Sequence, residues 1–289
     1  MKPAPFAYLR PSTLEEALAA LAGEQGAKVL AGGQSLVPLL SMRLAAPSML
    51  VDINALPGLG DVTCDVSVAG GGGVRVGALA RHAEVLASAE AAEVQPLLAM
   101  ALSHVAHPTI RNRGTTVGSL VHADAAAEMP MVLQLLGGSV DVASVRGRRT
   151  IPAAELFAGP LESTLAHDEI AVEAFFPALP AGAGVAFQEI ARRHGDYALV
   201  GVAALVETDG DDVTRARLGF VSVSDVPVVV DVTDAVRDPA GDPAAQALAQ
   251  LEPADDIHAT AAYRAHLVKV LVPKVLAAAT DHARQGKDA

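Results

Sequence analysis

The chain has 289 residues, of which 51% are hydrophobic and 19% charged, a composition typical of a folded protein with one or more apolar cores. Its net charge of −12 argues against nucleic acid or an anionic membrane as a partner, because both recruit clustered Lys and Arg. One cysteine, Cys64, excludes an internal disulfide and a four-thiolate metal or iron–sulfur site. The sequence shows no signal peptide and no membrane span, so we expect a cytoplasmic protein.

The first predicted domain, residues 1–56, has the pattern of a small α/β unit. Ser12 and Glu15 form a predicted capping box before apolar residues at helical spacing, and the helix should end near Gly23. The sequence AKVLAGG then predicts a buried strand and a glycine turn, VPLLSMRLAAP a short helix closed by Pro47, and MLVDI a second strand.

The second predicted domain comprises residues 57–177. Two alternating strand patterns flank the glycines of VSVAGGGGVRVGAL, and we interpret these glycines as a hairpin connection because no Lys-Ser or Lys-Thr pair of a phosphate loop follows them. Helical patterns follow in ARHAEVLA, VQPLLAMALSHVA and MVLQLLGG, and strand patterns in SVDVASV and EIAVEAFF. The stretch PALPAGAG then has the composition of a linker.

The third predicted domain comprises residues 178–289. The segments VAFQEIARR, ALVGVAALVE, VTRARLGFVSV and PVVVDV predict an antiparallel meander. Helices are predicted in PAAQALAQLE and in HATAAYRAHLVKVLVPKVLAAATDHAR, where Pro273 should kink or break the second one. The predicted fold class is α+β, ending in an antiparallel sheet with a helical bundle.

The stretch KVLAGGQSLVPLL interrupts two apolar runs with the small residues Gly32, Gly33, Gln34 and Ser35. Because glycine has no Cβ, the peptide N–H groups of such a turn can approach an anion directly. A plain β-to-α turn accounts for these residues equally well, so a structural turn and a binding loop both stay open. The pattern is not G-x-G-x-x-G, which disfavours a Rossmann site.

A second stretch, TIRNRGTTVGSLVHADAAAEMP, is long, polar and not periodic. Such a segment is uncommon in a compact domain unless it binds a ligand or covers a site. Backbone and hydroxyl groups for phosphates or sugars are offered by Gly114, Thr115, Thr116, Gly118 and Ser119. Asp124 and Glu128 could accept hydrogen bonds from a ligand, or act only as a helix N-cap and a solvated first-turn residue.

Metal and hydrolytic sites have little support. His104, His107 and His122 could suggest a metal, but Pro108 ends the helix that the first two would share, and no further ligand is obvious. The sequence has no G-x-S-x-G elbow, and Cys64 lies in a strand-like context. We therefore predict no metal ligand and no hydrolytic nucleophile.

Taken together, AGGQSLVPLLSMRLAAPSMLVDI, IRNRGTTVGSLVHADAAAEMP and ARRHGDYALVGVAA resemble the FAD-binding medium subunit of the molybdenum hydroxylases. This family includes carbon monoxide dehydrogenase, quinoline and nicotine oxidoreductases, and xanthine dehydrogenase. The resemblance covers essentially the whole chain and keeps the order of the three regions. It implies a two-subdomain α/β FAD-binding module similar to vanillyl-alcohol oxidase, followed by a third domain of antiparallel strands and helices.

The resemblance also implies which residues contact FAD, and none of them is catalytic. The residues expected at the pyrophosphate are Leu30, Ala31, Gly32, Gly33, Gln34, Ser35 and Leu36. Those expected at the phosphates and the ribityl chain are Ile110, Gly114, Thr115, Thr116, Gly118 and Ser119. Those expected at polar atoms of the flavin are Asp124 and Glu128, and those near its ring are Ile170, Ala171, Gln188 and Tyr197.

One position departs from the family pattern G-T-[IL]-G-G-S. The chain reads GTTVGS from Gly114 to Ser119, so Val117 replaces the first glycine of the pair. A β-branched residue is strained where the backbone needs a positive φ. Either this position is ordinarily extended, or the phosphate loop is altered.

By resemblance, the chain receives electrons from [2Fe-2S] clusters on a small subunit, which a large molybdopterin subunit supplies, and passes them to an external acceptor. The expected assembly is a dimer of heterotrimers, and the single cysteine agrees with clusters that lie on another chain. Two alternatives stay open. The chain could be a standalone FAD-dependent oxidoreductase of the same fold, or a flavin-free assembly subunit if Val117 abolishes the site.

Overall fold

The computed structural model describes residues 1–65 and 71–285. Within them, the strands form sheets of three, five and four strands along the chain, and a further pair of short strands. No helix of this described part is both long and apolar enough to cross a membrane.

The first region contains a parallel sheet of order β1-β3-β2. Its elements are β1 (Ala7–Leu9), α1 (Leu14–Gly23), β2 (Ala27–Leu30), α2 (Leu36–Met42), β3 (Met49–Asp52) and a 3₁₀ turn (Ile53–Ala55). Parallel strands need crossover connections, which α1 and α2 provide. Leu21 of α1 and Val51 of β3 are buried in one core, so the helix covers the sheet.

The second region contains an antiparallel sheet of order β4-β5-β10-β6-β7. Its elements are β4 (Val62–Asp65), β5 (Gly73–Gly77), α3 (His82–Ala87), α4 (Ala89–Val94), α5 (Pro96–Leu102), α6 (Pro108–Arg111), α7 (Thr116–His122), α8 (Glu128–Leu136), β6 (Ser139–Ser144), β7 (Gly147–Pro152), α9 (Ala153–Leu156), β8 (Phe157–Gly159), β9 (Glu162–Ser163) and β10 (Ile170–Pro177). The predicted strand VSVA and Gly70 lie outside the described residues, while β4 and β5 on either side pair antiparallel, as in a hairpin.

The third region is the predicted antiparallel meander, with the order β11-β12-β13-β14. Its elements are β11 (Ala183–Ala191), β12 (Ala198–Asp209), β13 (Asp212–Val221), β14 (Val228–Asp231), α10 (Thr233–Arg237), α11 (Pro243–Leu248) and α12 (Ala261–Gln285). Helix α12 packs on β11 so closely that a Cβ on Gly184 would lie 2.1 Å from the Ala279 carbonyl oxygen. The helical part predicted as a bundle is thus mainly one helix against the sheet, with α11 beside it.

The second and third regions share one core. Met131 of α8, Val185 of β11 and Val221 of β13 are all buried in it. A Cβ on Gly219 would lie 2.6 Å from the Met131 sulfur, so a glycine in β13 allows α8 to pack onto that strand. This packing brings Glu128, at the start of α8, close to Glu189 of β11.

The N-cap of α1 lies one residue later than predicted. Thr13 is the N-cap, and its hydroxyl accepts a hydrogen bond from the Glu16 N–H at 3.2 Å. The Glu16 carboxylate accepts one from the N–H of Ser12, the residue before the cap, at 2.8 Å. The prediction that Ser12 and Glu15 form a capping box is therefore wrong, because neighbouring Ser-Thr and Glu-Glu pairs fit the same spacing.

Pro47 does not close α2, and Pro273 does not break α12. Helix α2 ends at Met42, before Pro47, because Arg43 adopts a left-handed conformation with φ of 61° and closes the last turn. Helix α12 is continuous through Pro273. Its neighbours on the sheet and α11 bury one face of this long helix, which outweighs the backbone hydrogen bond lost at the proline.

The segment predicted to lack regular structure contains α6, α7 and the start of α8. Helices of four and seven residues are too short for a hydrophobic period to repeat, which is why the pattern was not visible. Val117 lies in the first turn of α7, is 2% exposed and packs in the shared core. It is not among the residues with positive φ, so its position is helical, not extended, and the backbone is unstrained.

Candidate functional site

The two glycine-containing stretches lie against each other. A Cβ on Gly32 would lie 2.4 Å from the Arg113 carbonyl oxygen and 2.9 Å from the Gly114 Cα, so only glycine allows this approach. Gly33 has a different requirement, because its φ of +72° lies in the left-handed region that favours glycine. The glycine pair therefore serves a close contact and a turn at once.

The first loop presents consecutive unpaired amide groups. Among the described residues, the amide N–H groups of Gly32, Gly33, Gln34 and Ser35 donate no hydrogen bond to the rest of the chain. The first hydrogen bond of α2 runs from the Val37 N–H to the Gly33 carbonyl at 3.0 Å. Successive backbone N–H groups form an anion-binding concavity, so this donor set fits a pyrophosphate.

The second loop is held by its own residues. Thr115 caps α7, with its hydroxyl accepting from the Gly118 N–H at 3.2 Å. A Cβ on Gly118 would lie 2.4 Å from that hydroxyl, so glycine permits the cap. Thr116 is fully buried, with its hydroxyl 3.1 Å from His82 Nδ1 and its N–H donating to the Ala80 carbonyl at 3.2 Å, so both groups are engaged inside the protein.

His82 packs against Gly114 of the second loop. Its N–H donates to the Gly114 carbonyl at 2.9 Å, and a Cβ on Gly114 would lie 2.9 Å from the imidazole Cδ2. Burial, and secondly the charge of Arg111, lowers the pKa of His82 to about 4, so the ring is neutral at pH 7. The sequence interpretation missed His82, since a lone histidine carries no motif.

Two further residues that the sequence interpretation missed connect the loops. Asn54 Nδ2 donates to the Ala31 carbonyl at 2.8 Å, and Arg81 Nη2 donates to Asn54 Oδ1 at 2.7 Å. Arg81 Nη1 also donates to the Arg113 carbonyl at 2.7 Å. We call Asn54 and Arg81 the polar bridge.

Beyond the end of α7 lies an acidic cluster of Asp124, Glu128 and Glu189. Glu128 is 6% exposed, and burial, followed by the charge of Glu189, raises the pKa of Glu128 to about 8. It is therefore mostly protonated at pH 7 and can donate a hydrogen bond, whereas the sequence suggested only an acceptor. His104 Nδ1 lies 3.2 Å from Glu189 Oε1, and the hydrogen bond to this carboxylate raises the pKa of His104.

Tyr197 borders the acidic cluster. Burial of its hydroxyl, then the charge of Asp124 and a hydrogen bond with that carboxylate, raise the pKa of Tyr197 to about 12. The residue as a whole is still 62% exposed. Gln188 is exposed on β11, and its neighbour Glu189 is turned inward. Because successive residues of a strand point to opposite faces, Gln188 lies on the same face as Ala186, which packs in the core under α12. Gln188 therefore points away from the acidic cluster, although the resemblance predicts it near the flavin ring.

Other predicted site residues differ in their surroundings. Ile170 and Ala171 are buried in β10, in the cores of the first and second regions respectively. Partly exposed positions are held by Leu30, Ala31, Leu36, Ile110 and Ser119. Arg111 is engaged locally, donating to the Val105 and Ala106 carbonyls.

Helix α7 separates the two halves of the site. The paired loops lie at its start, at Thr115, and the acidic cluster follows its end, at Asp124. At a rise of 1.5 Å per residue, this short helix sets them about 10 Å apart. A ligand with an anionic group at one end and a polar ring system at the other would match this arrangement.

The family described as the FAD binding domain in molybdopterin dehydrogenase matches residues 4–179, and the CO dehydrogenase flavoprotein C-terminal domain matches residues 185–279. Together they span nearly the whole chain. The first match carries both glycine loops, the polar bridge and two of the three acidic residues.

Individual relatives match along their full length. The alpha subunit of the 6-hydroxypseudooxynicotine dehydrogenase complex of Paenarthrobacter nicotinovorans is 42% identical over 300 residues, covering 100% of this chain and 99% of the relative. The nicotine 6-hydroxylase medium subunit of the same organism is 39% identical, covering 96% and 98%.

The fold agrees with a solved relative. Carbon monoxide dehydrogenase from Hydrogenophaga pseudoflava, solved without the Mo-pyranopterin moiety of its molybdenum cofactor, contains a chain with a TM-score of 0.91 and 31% identity, covering 98% of this chain and 99% of that one. The chain therefore belongs to the FAD-binding medium subunits of the molybdenum hydroxylases, and it is an oxidoreductase subunit whose cofactor is FAD.

Proposed function

We propose that this chain is the electron-transfer subunit of a multi-subunit molybdenum hydroxylase, taking electrons from [2Fe-2S] clusters of a small subunit and passing them to an external acceptor. The observation that carries the proposal is the contact of Gly32 with the Arg113 carbonyl, which joins two loops beside four free amide N–H groups. The names of the relatives support a role inside a complex, because they are subunits of a 6-hydroxypseudooxynicotine dehydrogenase complex, a nicotine 6-hydroxylase and a carbon monoxide dehydrogenase.

In this proposal the protein binds and orients the cofactor, and FAD supplies the redox chemistry. The amide groups of Gly32 to Ser35 hold the pyrophosphate, because directed N–H dipoles bind an anion even on a chain with a charge of −12. Leu30, Ala31 and Leu36 lie beside the pyrophosphate, and contacts to the phosphates and the ribityl chain come from Ile110, Gly114, Thr115, Gly118 and Ser119. Thr116 is buried and makes none.

At the other end of α7, the proposal assigns opposite hydrogen-bonding roles to two acids. Protonated Glu128 donates to a flavin acceptor, and Asp124 accepts from a flavin N–H or O–H. Tyr197 is exposed beside them, where it would border the ring, whereas Gln188 points to the other face of its sheet and would not. Ile170 and Ala171 would approach the ring only through the backbone of β10, since their side chains are buried.

The proposed partners are a small iron–sulfur subunit and a large molybdopterin subunit, in a dimer of heterotrimers in the cytoplasm. We also propose three domains, residues 1–56, 57–177 and 178–289, because each of these ranges has its own main sheet. The first two would form an FAD-binding module similar to that of vanillyl-alcohol oxidase.

Co-purification from the native host, with absorbance spectra and metal analysis, tests the proposal. We expect flavin absorbance from the chain itself, and iron and molybdenum only when the two partner chains are present. Stopped-flow reduction should then require the iron–sulfur chain. Reduction of the isolated chain by an organic substrate at the same rate would instead favour a standalone flavoenzyme, and a stable chain without flavin would favour an assembly subunit.

A further inference from the structure

We propose that the polar bridge, Asn54 and Arg81, is a positioning device that sets FAD affinity by orienting the first glycine loop on the second. Neither residue needs to touch the cofactor. The inference rests on the proposed assignment of the pyrophosphate to the first loop.

The bridge spans the contact between the loops. It begins at the Ala31 carbonyl, immediately before Gly32, continues through Asn54 and Arg81, and ends at the Arg113 carbonyl. That last oxygen is the atom that a Cβ on Gly32 would approach to 2.4 Å. Three hydrogen bonds of 2.7 to 2.8 Å thus connect the two sides of a single backbone contact.

The bridge also orients an amide group of the proposed site. In a planar trans peptide the C=O and N–H point in opposite directions. Because Asn54 holds the Ala31 carbonyl, it fixes the direction of the free Gly32 N–H. Arg81 in turn defines the orientation of the Asn54 side chain, since its N–H must face Asn54 Oδ1 and leave Nδ2 for the Ala31 carbonyl.

Asn54 is also held in place by hydrogen bonds to Asp52, outside the bridge itself. The Asn54 N–H and Nδ2 donate to Asp52 Oδ1 at 2.9 and 2.6 Å, and Asp52 also accepts from the Tyr8 hydroxyl. Burial opposes ionisation of Asp52, but the hydrogen bonds from Tyr8 and Asn54 outweigh it and lower the pKa of this carboxyl. Asn54 is therefore held by an ionised partner.

Arg81 is attached to the second loop through its backbone. It forms an isolated antiparallel bridge with Thr115, and its N–H donates to Glu84 Oε2 at 2.7 Å. Its guanidinium reaches two acceptors in different directions, which a lysine ammonium on a flexible stem does not reproduce. Without the bridge, FAD would have to order the loops itself on binding, at a cost in affinity.

The test is the FAD dissociation constant of the full-length chain, measured by flavin fluorescence, for Arg81→Met, Arg81→Lys, Asn54→Ala, Asn54→Ser and the Arg81→Met/Asn54→Ala double variant. We expect each single variant to weaken FAD binding about tenfold or more. The double variant should bind no more weakly than the weaker single one, because both changes interrupt the same connection. Melting of the FAD-free protein separates loss of folding from loss of affinity.

Arg75→Met is the matched control. Arg75 pairs with Glu173 at 2.7 Å on a strand of the neighbouring sheet, is more exposed than Arg81, and has neither Asn54 nor the Arg113 carbonyl as a partner. It should bind FAD like the wild type. Wild-type affinity in Arg81→Lys would overturn the proposal, since it would show that charge alone suffices, and additive losses in the double variant would do the same. If the wild-type chain bound no FAD, the cofactor assignment itself would fail.

Discussion

Replacing Gly32 by alanine tests the contact between the loops directly. The added Cβ would lie 2.4 Å from the Arg113 carbonyl oxygen and 2.9 Å from the Gly114 Cα, whereas ordinary contact begins at 3.4 Å. Both neighbours are backbone atoms, so no side chain can rotate away, and the loops must separate by about 1 Å. Overpacking of this kind costs about 1–3 kcal/mol. If the bound state requires the closed loops, FAD binding weakens by roughly 5- to 150-fold.

The assay is a fluorescence titration of the FAD-free chain, together with the flavin content after purification. Two glycine variants serve as controls. Gly60→Ala meets no atom within 4 Å and should bind like the wild type. Gly33→Ala is strained by its φ of +72°, but its nearest neighbours are the Leu30 and Val37 side chains at 3.3 Å, which can move. We therefore expect an intermediate loss for Gly33→Ala, of about 1–2 kcal/mol.

A Gly32→Ala variant with full FAD content and a wild-type dissociation constant would refute this reasoning. It would show that the loops can separate without consequence, so their contact would serve folding alone. Equal losses in Gly60→Ala and Gly32→Ala would refute it too, because the steric difference between them would then have no effect.

Three further predictions concern titration and access. Folded Glu128 keeps a proton that the unfolded chain releases above pH 4.5, so its contribution to the free energy of unfolding falls as the pH rises from 4.5 to about 8. In thermal melts, the stability of Glu128→Gln should therefore rise relative to the wild type over this pH range. A constant difference in melting temperature would contradict the raised pKa. In the unfolded chain His82 is protonated below pH 6.5, while in the folded chain it stays neutral down to about pH 4, so stability falls as the pH drops through this range. In urea unfolding, the stability of His82→Gln should depend less on pH between 6.5 and 4. The same pH dependence as in the wild type would contradict a buried neutral ring. If Tyr197 covers the flavin, stopped-flow reoxidation should be faster in Tyr197→Ala than in Tyr197→Phe, whereas wild-type rates in both would count against a shielding role.

The two binding loops could be found from the sequence because glycine and small polar residues interrupt an otherwise apolar pattern there. The functional weight of the polar bridge could not. Asn54 follows a strand in a sequence typical of a turn, and Arg81 looks like a surface charge before a helix. Their roles arise only where the first and second regions meet. The protonation of Glu128 was hidden in the same way, because its burial and the nearby Glu189 charge come from packing of α8 against the sheet of the third region.

The features that the sequence by itself determined are those set by local interactions along the chain. Periodic burial, turn residues and glycines act over a few neighbouring residues, so the order of the three regions, the C-terminal meander and the site of both loops follow from the chain alone. Helix α7 escaped because its seven residues are too few for a period, and Val117 was therefore judged by a family pattern instead of by its burial in a helix. Contacts between distant residues, such as Gly32 with Arg113, depend on how sheets and helices pack. The tertiary structure alone therefore decided which polar atoms of the loops are unpaired and which hold the two loops together.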